Sequence, residues 1–247
     1  MNAFSAAVAL ETAVATGAAT ECEPTPLGTA LHSPGIPDAY MVNLLLADPL
    51  AAAAAGGAAL VRLLDDVYAG SSHRRVWIPD ALAGEALRDE LVTAGFEPEE
   101  TVVLVLAGEP PDVSGPAREV DPQAVRAVER AVLEDGGTAP GLTEQLLGLR
   151  EAMCGAATVR YVVAEEASHA TVYVRDGVAK VEDVGTRPGA RRRGLARSVV
   201  ALGTRLALDE RADPVLILAD ANDWPKDFYG RLGYVEAGRW WAFTRTV

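Results

Sequence analysis

The chain has 247 residues, and its 49% hydrophobic content is sufficient for one large or two small globular domains, each with its own core. Its formal net charge of −13 argues against nucleic acid as the main partner, because a phosphate backbone would be repelled. The charge is uneven, since residues 1–118 contain 5 Lys and Arg against 16 Asp and Glu whereas residues 119–247 contain 17 against 19, so cationic groups are concentrated in the second half.

The N-terminal part of the chain contains two apolar segments. Residues 1–21 predict a helix, but they lack the Lys or Arg that precedes the apolar run of a secretory signal. Residues 50–61 follow an Asp-Pro pair, the usual cap and first residue of a helix, and are fewer than the ~20 apolar residues of a membrane span. Cys22 and Cys154 are too few to indicate a disulfide scaffold. We therefore expect a cytoplasmic protein without a membrane partner.

A linker is predicted near the middle of the chain. Residues 107–120 concentrate Gly, Pro and charged residues, and Asp121 with the following Pro then begins a predicted helix that ends near Glu134. We expect a first unit at residues 1–110, a linker at 111–118 and a second unit at 119–247.

A β-hairpin is predicted in the second unit. An Asp-Gly pair at 176–177 lies between two alternating β-branched runs and favours a two-residue type I′ turn. Closing that turn pairs Thr171 with Glu182 and His169 with Val184. His169 and Glu182 are therefore expected on one face of the sheet.

Residues 191–196, with the sequence RRRGLA, form the first half of the most informative motif. They follow a β-rich run and a Pro-containing bend, and they open a helix rich in Ala and Leu. A helix start presents free N–H groups and the positive end of its dipole, and the small Gly194 and Ala196 let a diphosphate approach the backbone. The three arginines would repel this dipole and one another without an anion. The segment predicts a pyrophosphate site.

The second half of the motif lies about thirty residues further on. Asn222 precedes Tyr229 by seven residues, and Tyr229 begins Tyr-x-x-Leu-Gly-Tyr. With the R-x-x-G-x-A segment before it, this order resembles the GNAT superfamily of acyl-CoA-dependent N-acyltransferases. The chain departs from the commonest pattern in Ala196 for Gly, Pro225 for a small residue and Tyr234 for Phe, and none of these changes removes a required atom.

The resemblance implies an α/β fold with a mixed, mostly antiparallel twisted sheet flanked by helices. It also implies direct transfer of an acetyl group from acetyl-CoA to a primary amine of a small molecule, with no acyl-enzyme. No Cys/His cluster of the sequence has the spacing of metal ligands, so we expect no metal. Tyr229 matches the general acid that protonates the thiolate, and Val184 the backbone donor to the thioester oxygen. Asn222 matches the residue whose side-chain amide holds the pantetheine arm or the entry to the helix, and the alternative is that it is simply a helix N-cap. The implied acetyl-CoA contacts are Val184, Gly185, Thr186, Arg191, Arg192, Arg193, Gly194, Leu195, Ala196, Asn222 and Tyr229.

Several carboxylates are candidates for the general base. Family members place an acidic residue on the strand that carries Glu182 and Asp183, and Glu165 lies on the neighbouring strand. A carboxylate acts as a base only with a raised pKa or through water. Since His169 and Glu182 are expected on one face, they form the preferred pair. The alternative is that both are surface residues on a solvated face of the strand.

The first unit is expected to be a degenerate copy of the second. Both contain strand, helix, strand, helix and strand, but Leu91 and Gly84 stand where Tyr229 and Asn222 would be. We expect this half to be structural or to shape the acceptor site. Two other functions stay open: a non-catalytic acyl-CoA-binding regulatory module, and an acyltransferase that acts on a protein or on aminoacyl-tRNA. The acyl chain length and the oligomeric state also stay open.

Overall fold

The computed structural model of the protein describes residues 2–247. Within them the α-helices are α1 (Ala3–Ala18), α2 (Pro49–Ala55), α3 (Gly57–Val67), α4 (Ala81–Thr93), α5 (Pro122–Asp135), α6 (Pro140–Met153), α7 (Leu195–Asp209) and α8 (Pro225–Gly230). The strands are β1 (Glu21–Thr25), β2 (Gly28–His32), β3 (Leu45–Ala47), β4 (His73–Ile78), β5 (Glu97–Leu106), β6 (Ala117–Val120), β7 (Thr158–Ala164), β8 (Ser168–Arg175), β9 (Val178–Thr186), β10 (Val215–Asp220) and β11 (Tyr234–Thr246). Short 3₁₀ turns lie at Tyr40–Val42 and Pro188–Ala190.

The strands form one mixed sheet in the order β1-β2-β3-β4-β11-β5-β10-β9-β8-β7-β6. Neighbouring strands are antiparallel except for β3 with β4 and β9 with β10, which are parallel. The predicted fold class, a mostly antiparallel sheet flanked by helices, is confirmed.

Helices cover both faces of the sheet. On one face, α7 packs on the apolar side chains of β8, β9 and β10, such as Val172, Val181 and Ile217. On the other face, α1 packs on Tyr173, Leu216 and their neighbours. The sheet therefore separates two layers of helices, each with its own apolar core. None of the helices within residues 2–247 is both long and apolar enough to cross a lipid bilayer.

Each half of the chain contains one run of strand, helix, strand, helix and strand, with α2 and α3 together as the first helical part of the run in the first half, and the two halves exchange their last strands. The order strand, helix, strand, helix, strand runs from β3 to β5 and again from β9 to β11, as the sequence predicts. However, β5 from the first half lies between β11 and β10, and β11 from the second half lies between β4 and β5. The proposed units therefore share one sheet. Within the expected linker, Ala117 begins β6, which pairs with β7.

The local signals of the sequence account for several element boundaries. The side chain of Asp48 accepts a hydrogen bond from the Ala51 N–H at 2.9 Å and caps α2, and Asp121 caps α5 in the same way through Ala124 at 2.8 Å. The predicted helix at the N-terminus is α1. The alanine-rich segment is divided into α2 and α3 at Gly56, whose φ is 79°.

The predicted hairpin is present, but its register changes near its open end. Its turn residues both have positive φ, and Thr171 pairs with Glu182 as predicted. The predicted pairing of His169 with Val184 is wrong, because His169 lies opposite Gly185. A bulge at Asp183, whose φ is 58°, adds one residue to β9 and shifts the pairing.

Candidate functional site

The parallel strands β9 and β10 separate halfway along their length. Their pairing ends at Val181 and Ile217. Beyond this point β10 stays paired with β5 as far as Asp220, while β9 stays paired with β8 as far as Thr186. Val184 lies outside the paired positions of both neighbouring strands, at the bulge. A gap therefore opens in the centre of the sheet, with backbone groups of β9 at its edge.

A cavity of about 530 Å³ lies beside this gap on the face that carries α7 and α8, and we call it the anion cavity. Nine of the residues predicted to contact acetyl-CoA line it: Val184, Gly185, Thr186, Arg191, Arg192, Gly194, Leu195, Ala196 and Tyr229. The sequence interpretation did not include Val132, Arg197, Pro225 and Phe228, which also line it. Arg197, Pro225 and Phe228 could have been predicted from the sequence, because they lie on helices α7 and α8 next to the motif residues.

The start of α7 has the conformation that anion binding requires. Gly194 caps the helix in the left-handed region with φ of 80°, and Arg192 also has a positive φ of 63°. The N–H groups of the first residues of a helix have no acceptor within the helix, so those of Leu195, Ala196 and Arg197 are free to bind an anion. The Arg191 and Arg192 side chains add positive charge to the same cavity.

Two of the predicted contact residues lie outside the anion cavity. The guanidinium of Arg193 is paired with Glu165 on the loop after β7. Asn222 is exposed, and its backbone N–H donates to the Asp220 carboxylate at 2.7 Å. Unlike the other motif residues, Arg193 and Asn222 are therefore not positioned in the cavity where they were predicted to contact acetyl-CoA.

Tyr229 is buried on α8 and lines the anion cavity. Burial, with smaller contributions from the neighbouring Tyr234 and Glu182, raises the pKa of its phenol to about 12. The hydroxyl therefore carries its proton at neutral pH, which is the state that a general acid needs.

A second cavity of about 330 Å³ lies on the opposite face, under α1, and we call it the central cavity. Its lining comes from both halves of the chain and includes Glu182 of β9, Leu218, Ala219 and Asp220 of β10, Glu99 and Thr101 of β5, Trp240 and Ala242 of β11, Arg75 and Trp77 of β4, Leu46 of β3, Leu44, Met41, and Glu11 and Ala15 of α1. Glu182 and Leu218 stand where β9 and β10 diverge, so the central cavity reaches the gap from the side opposite the anion cavity.

Comparison with known proteins identifies the fold. Residues 159–242 match the sequence model of the FR47-like protein family. None of the curated proteins matches the chain significantly. A GCN5-related N-acetyltransferase from Kribbella flavida is 17% identical and superposes with a TM-score of 0.64, covering 97% of this chain and 95% of that one. The chain has the GNAT fold.

Two further solved structures share this GNAT fold. A functionally unknown conserved protein from Staphylococcus epidermidis is 14% identical with a TM-score of 0.63, and the match covers 91% of this chain and 92% of that one. A GCN5-related N-acetyltransferase from Sphaerobacter thermophilus is 18% identical with a TM-score of 0.53, covering 70% of this chain and 59% of that one. At these identities the likeness concerns the fold.

Within the GNAT fold of this chain, Glu182 belongs to a buried ionic cluster. The ammonium of Lys180, which is 1% exposed, pairs with the carboxylates of both Glu11 and Glu182. Burial raises the pKa of Glu11, and the charge of Glu182 raises it further, while Lys180 lowers it. The sequence interpretation missed Glu11. The signal was present, because a single Glu stands within the otherwise uncharged α1.

The structure does not bring His169 to Glu182 at the edge of the GNAT-fold gap. The bulge shifts His169 opposite Gly185, and the imidazole lies against Gly185, outside both cavities. Burial lowers its pKa to about 3, with a smaller contribution from Arg150. Its Nδ1 has no hydrogen-bond partner among residues 2–247. The ring is therefore neutral and enclosed.

The other carboxylates considered as bases are engaged elsewhere in the GNAT fold. Asp183 forms an ion pair with the Arg150 guanidinium at 2.6 Å and accepts a hydrogen bond from the Tyr173 hydroxyl at 3.1 Å. Glu165 is held by Arg193. Among the candidate bases, Glu182 is the one that lines a cavity at the gap. No group of three or more His, Cys, Asp and Glu side chains within residues 2–247 is arranged to hold a metal ion.

Proposed function

We propose that the protein is an N-acetyltransferase that moves the acetyl group of acetyl-CoA to a primary amine of a small molecule. One observation carries the proposal. The gap between β9 and β10 has a cavity on each face, with the phenol of Tyr229 on one side and the carboxylate of Glu182 on the other. The fold similarity to GCN5-related N-acetyltransferases supports the same class of reaction.

The anion cavity suits the CoA half of the donor. Its pyrophosphate would accept hydrogen bonds from the free N–H groups at the start of α7, where Gly194 leaves room for close approach. The pantetheine arm would lie along the opened edge of β9, which brings the thioester to the gap. Val184 would then donate its backbone N–H to the thioester oxygen, a contribution typically worth on the order of 10²–10³ in rate.

The reaction would proceed by direct attack. The ammonium of the acceptor first loses one proton to solvent, and the neutral amine nitrogen then forms a bond to the thioester carbon. The negative charge that develops on the carbonyl oxygen is stabilised at Val184. The C–S bond then breaks with its electron pair going to sulfur, and Tyr229 protonates the departing thiolate. Glu182, which is paired with Lys180, accepts through a water molecule the proton that the nitrogen loses. Solvent returns this proton to Tyr229 between turnovers, so atoms and charges balance.

The central cavity favours a small acceptor. It is covered by α1 and the 3₁₀ turn at Tyr40–Val42, and its volume of about 330 Å³ suits a small molecule. A protein or tRNA acceptor would require an open cleft next to the gap, and the negative charge of the chain would oppose a tRNA.

The proposal is tested by following thiol release from acetyl-CoA with and without a panel of primary amines, with mass spectrometry of the amine products. We expect amine-dependent thiol release that matches the amount of N-acetylated product. Binding of acetyl-CoA without thiol release on any amine would instead indicate the non-catalytic acyl-CoA-binding module.

A further inference from the structure

The central cavity is elongated across the strands. It begins at Glu182 and Leu218 beside the gap, crosses β5, β11 and β4, and ends at Leu46 of β3. From β10 to β3 there are four strand spacings, which correspond to roughly 19 Å. An acceptor whose nitrogen reaches the gap would therefore extend its other end over strands of the first half of the chain.

The gap end of the central cavity carries an excess of negative charge. Glu11, Glu182 and Asp220 bring three carboxyl groups there, and Lys180 behind them brings one ammonium. Burial raises the pKa of Glu11 to about 7, so this carboxyl is partly protonated at neutral pH, and the other two carboxylates keep the net charge of this end negative. Because Lys180 is buried and shared by two carboxylates, its charge is already compensated. A cationic ligand would be favoured at this end, and an anionic group would be repelled.

The far end of the central cavity is apolar and aromatic. Trp77 and Trp240 meet edge to face with their ring centroids 5.3 Å apart, and Met41, Leu44 and Leu46 complete this wall. Burying a second charged group here would carry a desolvation cost without a partner. Aromatic walls of this kind instead favour an apolar ring through its area and its edge-to-face packing.

The one arginine that lines the central cavity is already neutralised. Both terminal nitrogens of Arg75 donate to the Glu99 carboxylate at 3.0 Å. A carboxylate on the ligand would therefore have to compete with Glu99 for this guanidinium.

We propose that the acceptor is a primary amine joined by a short chain to an apolar body of aromatic size, with no carboxylate. Its ammonium would lie beside Glu182 and Asp220, and its body would lie against Trp77 and Trp240. This inference rests on the proposed function for its reaction, but the binding preference follows from the cavity itself.

The preference is tested with four probe amines on the full chain. Phenethylamine has the proposed form, phenylalanine adds a carboxylate beside the nitrogen, para-carboxy-phenethylamine adds one at the far end, and putrescine replaces the ring by a second ammonium. We expect phenethylamine to have the highest kcat/KM, by about tenfold or more over each of the other three, because like charges and unpaired buried charges are costly. Calorimetric binding of the probes without acetyl-CoA should give the same order.

A charge change at Arg75 provides a sharper test. Glu99→Gln removes the partner of Arg75, so the variant should gain about tenfold or more for para-carboxy-phenethylamine relative to phenethylamine. Glu97→Gln is the matched control, because Glu97 is exposed two residues away on the same strand and lies outside the central cavity. The control should keep the wild-type ratio.

The outcomes separate this inference from the proposed function. Amine binding in the expected order without acetyl transfer would support the ligand class and contradict the function. Acetyl transfer with putrescine or phenylalanine as the best acceptor would support the function and overturn the inference. Absence of calorimetric binding for all four amines, or an unchanged ratio in Glu99→Gln, would also overturn it.

Discussion

The phenol of Tyr229 is buried beside the gap, and this burial raises its pKa to about 12. The group is therefore protonated throughout the pH range in which an assay is practical. Tyr229→Phe removes the acidic proton but keeps the ring that packs against Phe228 at 5.2 Å. We expect kcat to fall by roughly 10²–10⁴ while the Kd of acetyl-CoA changes little, as for a group that acts by proton transfer.

Tyr234→Phe is the control for the Tyr229 variant. Tyr234 is also buried, but its hydroxyl is hydrogen-bonded to Thr204 at 2.8 Å and lies outside both cavities. This change should lower the free energy of unfolding by about 1 kcal/mol and leave kcat unaltered. If Tyr229→Phe retained full kcat, the thiolate would be protonated by water and Tyr229 would be a packing residue.

The buried His169 gives a prediction about pH and stability. Its folded-state pKa, lowered to about 3, lies below the unfolded value of about 6.5, so its stabilising contribution is complete above pH 6.5 and decreases as the pH falls toward 3. We compare wild type with His169→Asn by denaturant unfolding. Between pH 7.5 and 5.5 the wild type should lose about 1.4 kcal/mol more than the variant. Equal losses would show that His169 is accessible and protonates in the folded protein.

Tyr229 and His169 show which site residues can be predicted from the sequence and which cannot. Tyr229 belongs to a spaced motif, and most motif residues from Val184 to Ala196 do line one cavity. His169 was assigned by strand alternation alone, and one inserted residue at Asp183 changed its neighbours. Glu11 is remote in sequence from Lys180, so no local pattern connects them.

At the scale of elements, the turn before α7 is the part that binding depends on most. Gly194 has a φ of 80° and lines the anion cavity. Gly194→Val would place a branched side chain at the proposed pyrophosphate site and would also strain the left-handed backbone by about 1–2 kcal/mol. We expect the Kd of CoA, measured by calorimetry, to rise by about tenfold or more.

Gly95→Val is the control that distinguishes backbone strain from obstruction of the pyrophosphate site by a side chain at position 194. Gly95 has a similar φ of 85°, lies outside both cavities, and has room for a Cβ, with Arg245 as its nearest neighbour at 3.6 Å. It should lose comparable stability and keep the wild-type Kd for CoA. If both variants weakened CoA binding equally, the loss would come from destabilisation and the loop assignment would be wrong.

Elements with short-range signals were predictable. Asp48 and Asp121 cap helices through hydrogen bonds to residues three positions away, and the turn at 176–177 is fixed by its own positive φ angles. The gap between β9 and β10 had no such signal, because it depends on β10 staying paired with β5 from the other half of the chain. The sequence of one segment does not determine which distant strand that segment pairs with.

At the scale of the molecule, the exchanged strands make the two halves interdependent. β5 pairs with β10 on one side and with β11 on the other. Residues 113–247 alone would expose the edges of both of these strands. We expect residues 1–112 and 113–247 to be unfolded when expressed separately, and to form a folded one-to-one complex when expressed together. Circular dichroism and size-exclusion chromatography measure this.

The cut lies in the exposed segment between β5 and β6, so it disrupts no helix or strand. The control is the full chain, folded first and then cleaved between residues 112 and 113. This cleaved protein should keep its secondary structure. Cooperative unfolding by residues 113–247 alone would show that the second half is an independent domain despite the exchange.

The central claim is that CoA binds at the start of α7 with its sulfur at the gap between β9 and β10. A crystal structure of the full chain with CoA tests it most directly. The account predicts the pyrophosphate on the backbone N–H groups of residues 194–197, the sulfur within hydrogen-bonding distance of the Tyr229 hydroxyl, and the central cavity open beyond it. CoA bound in the first half, or with its sulfur away from the gap, would contradict the account.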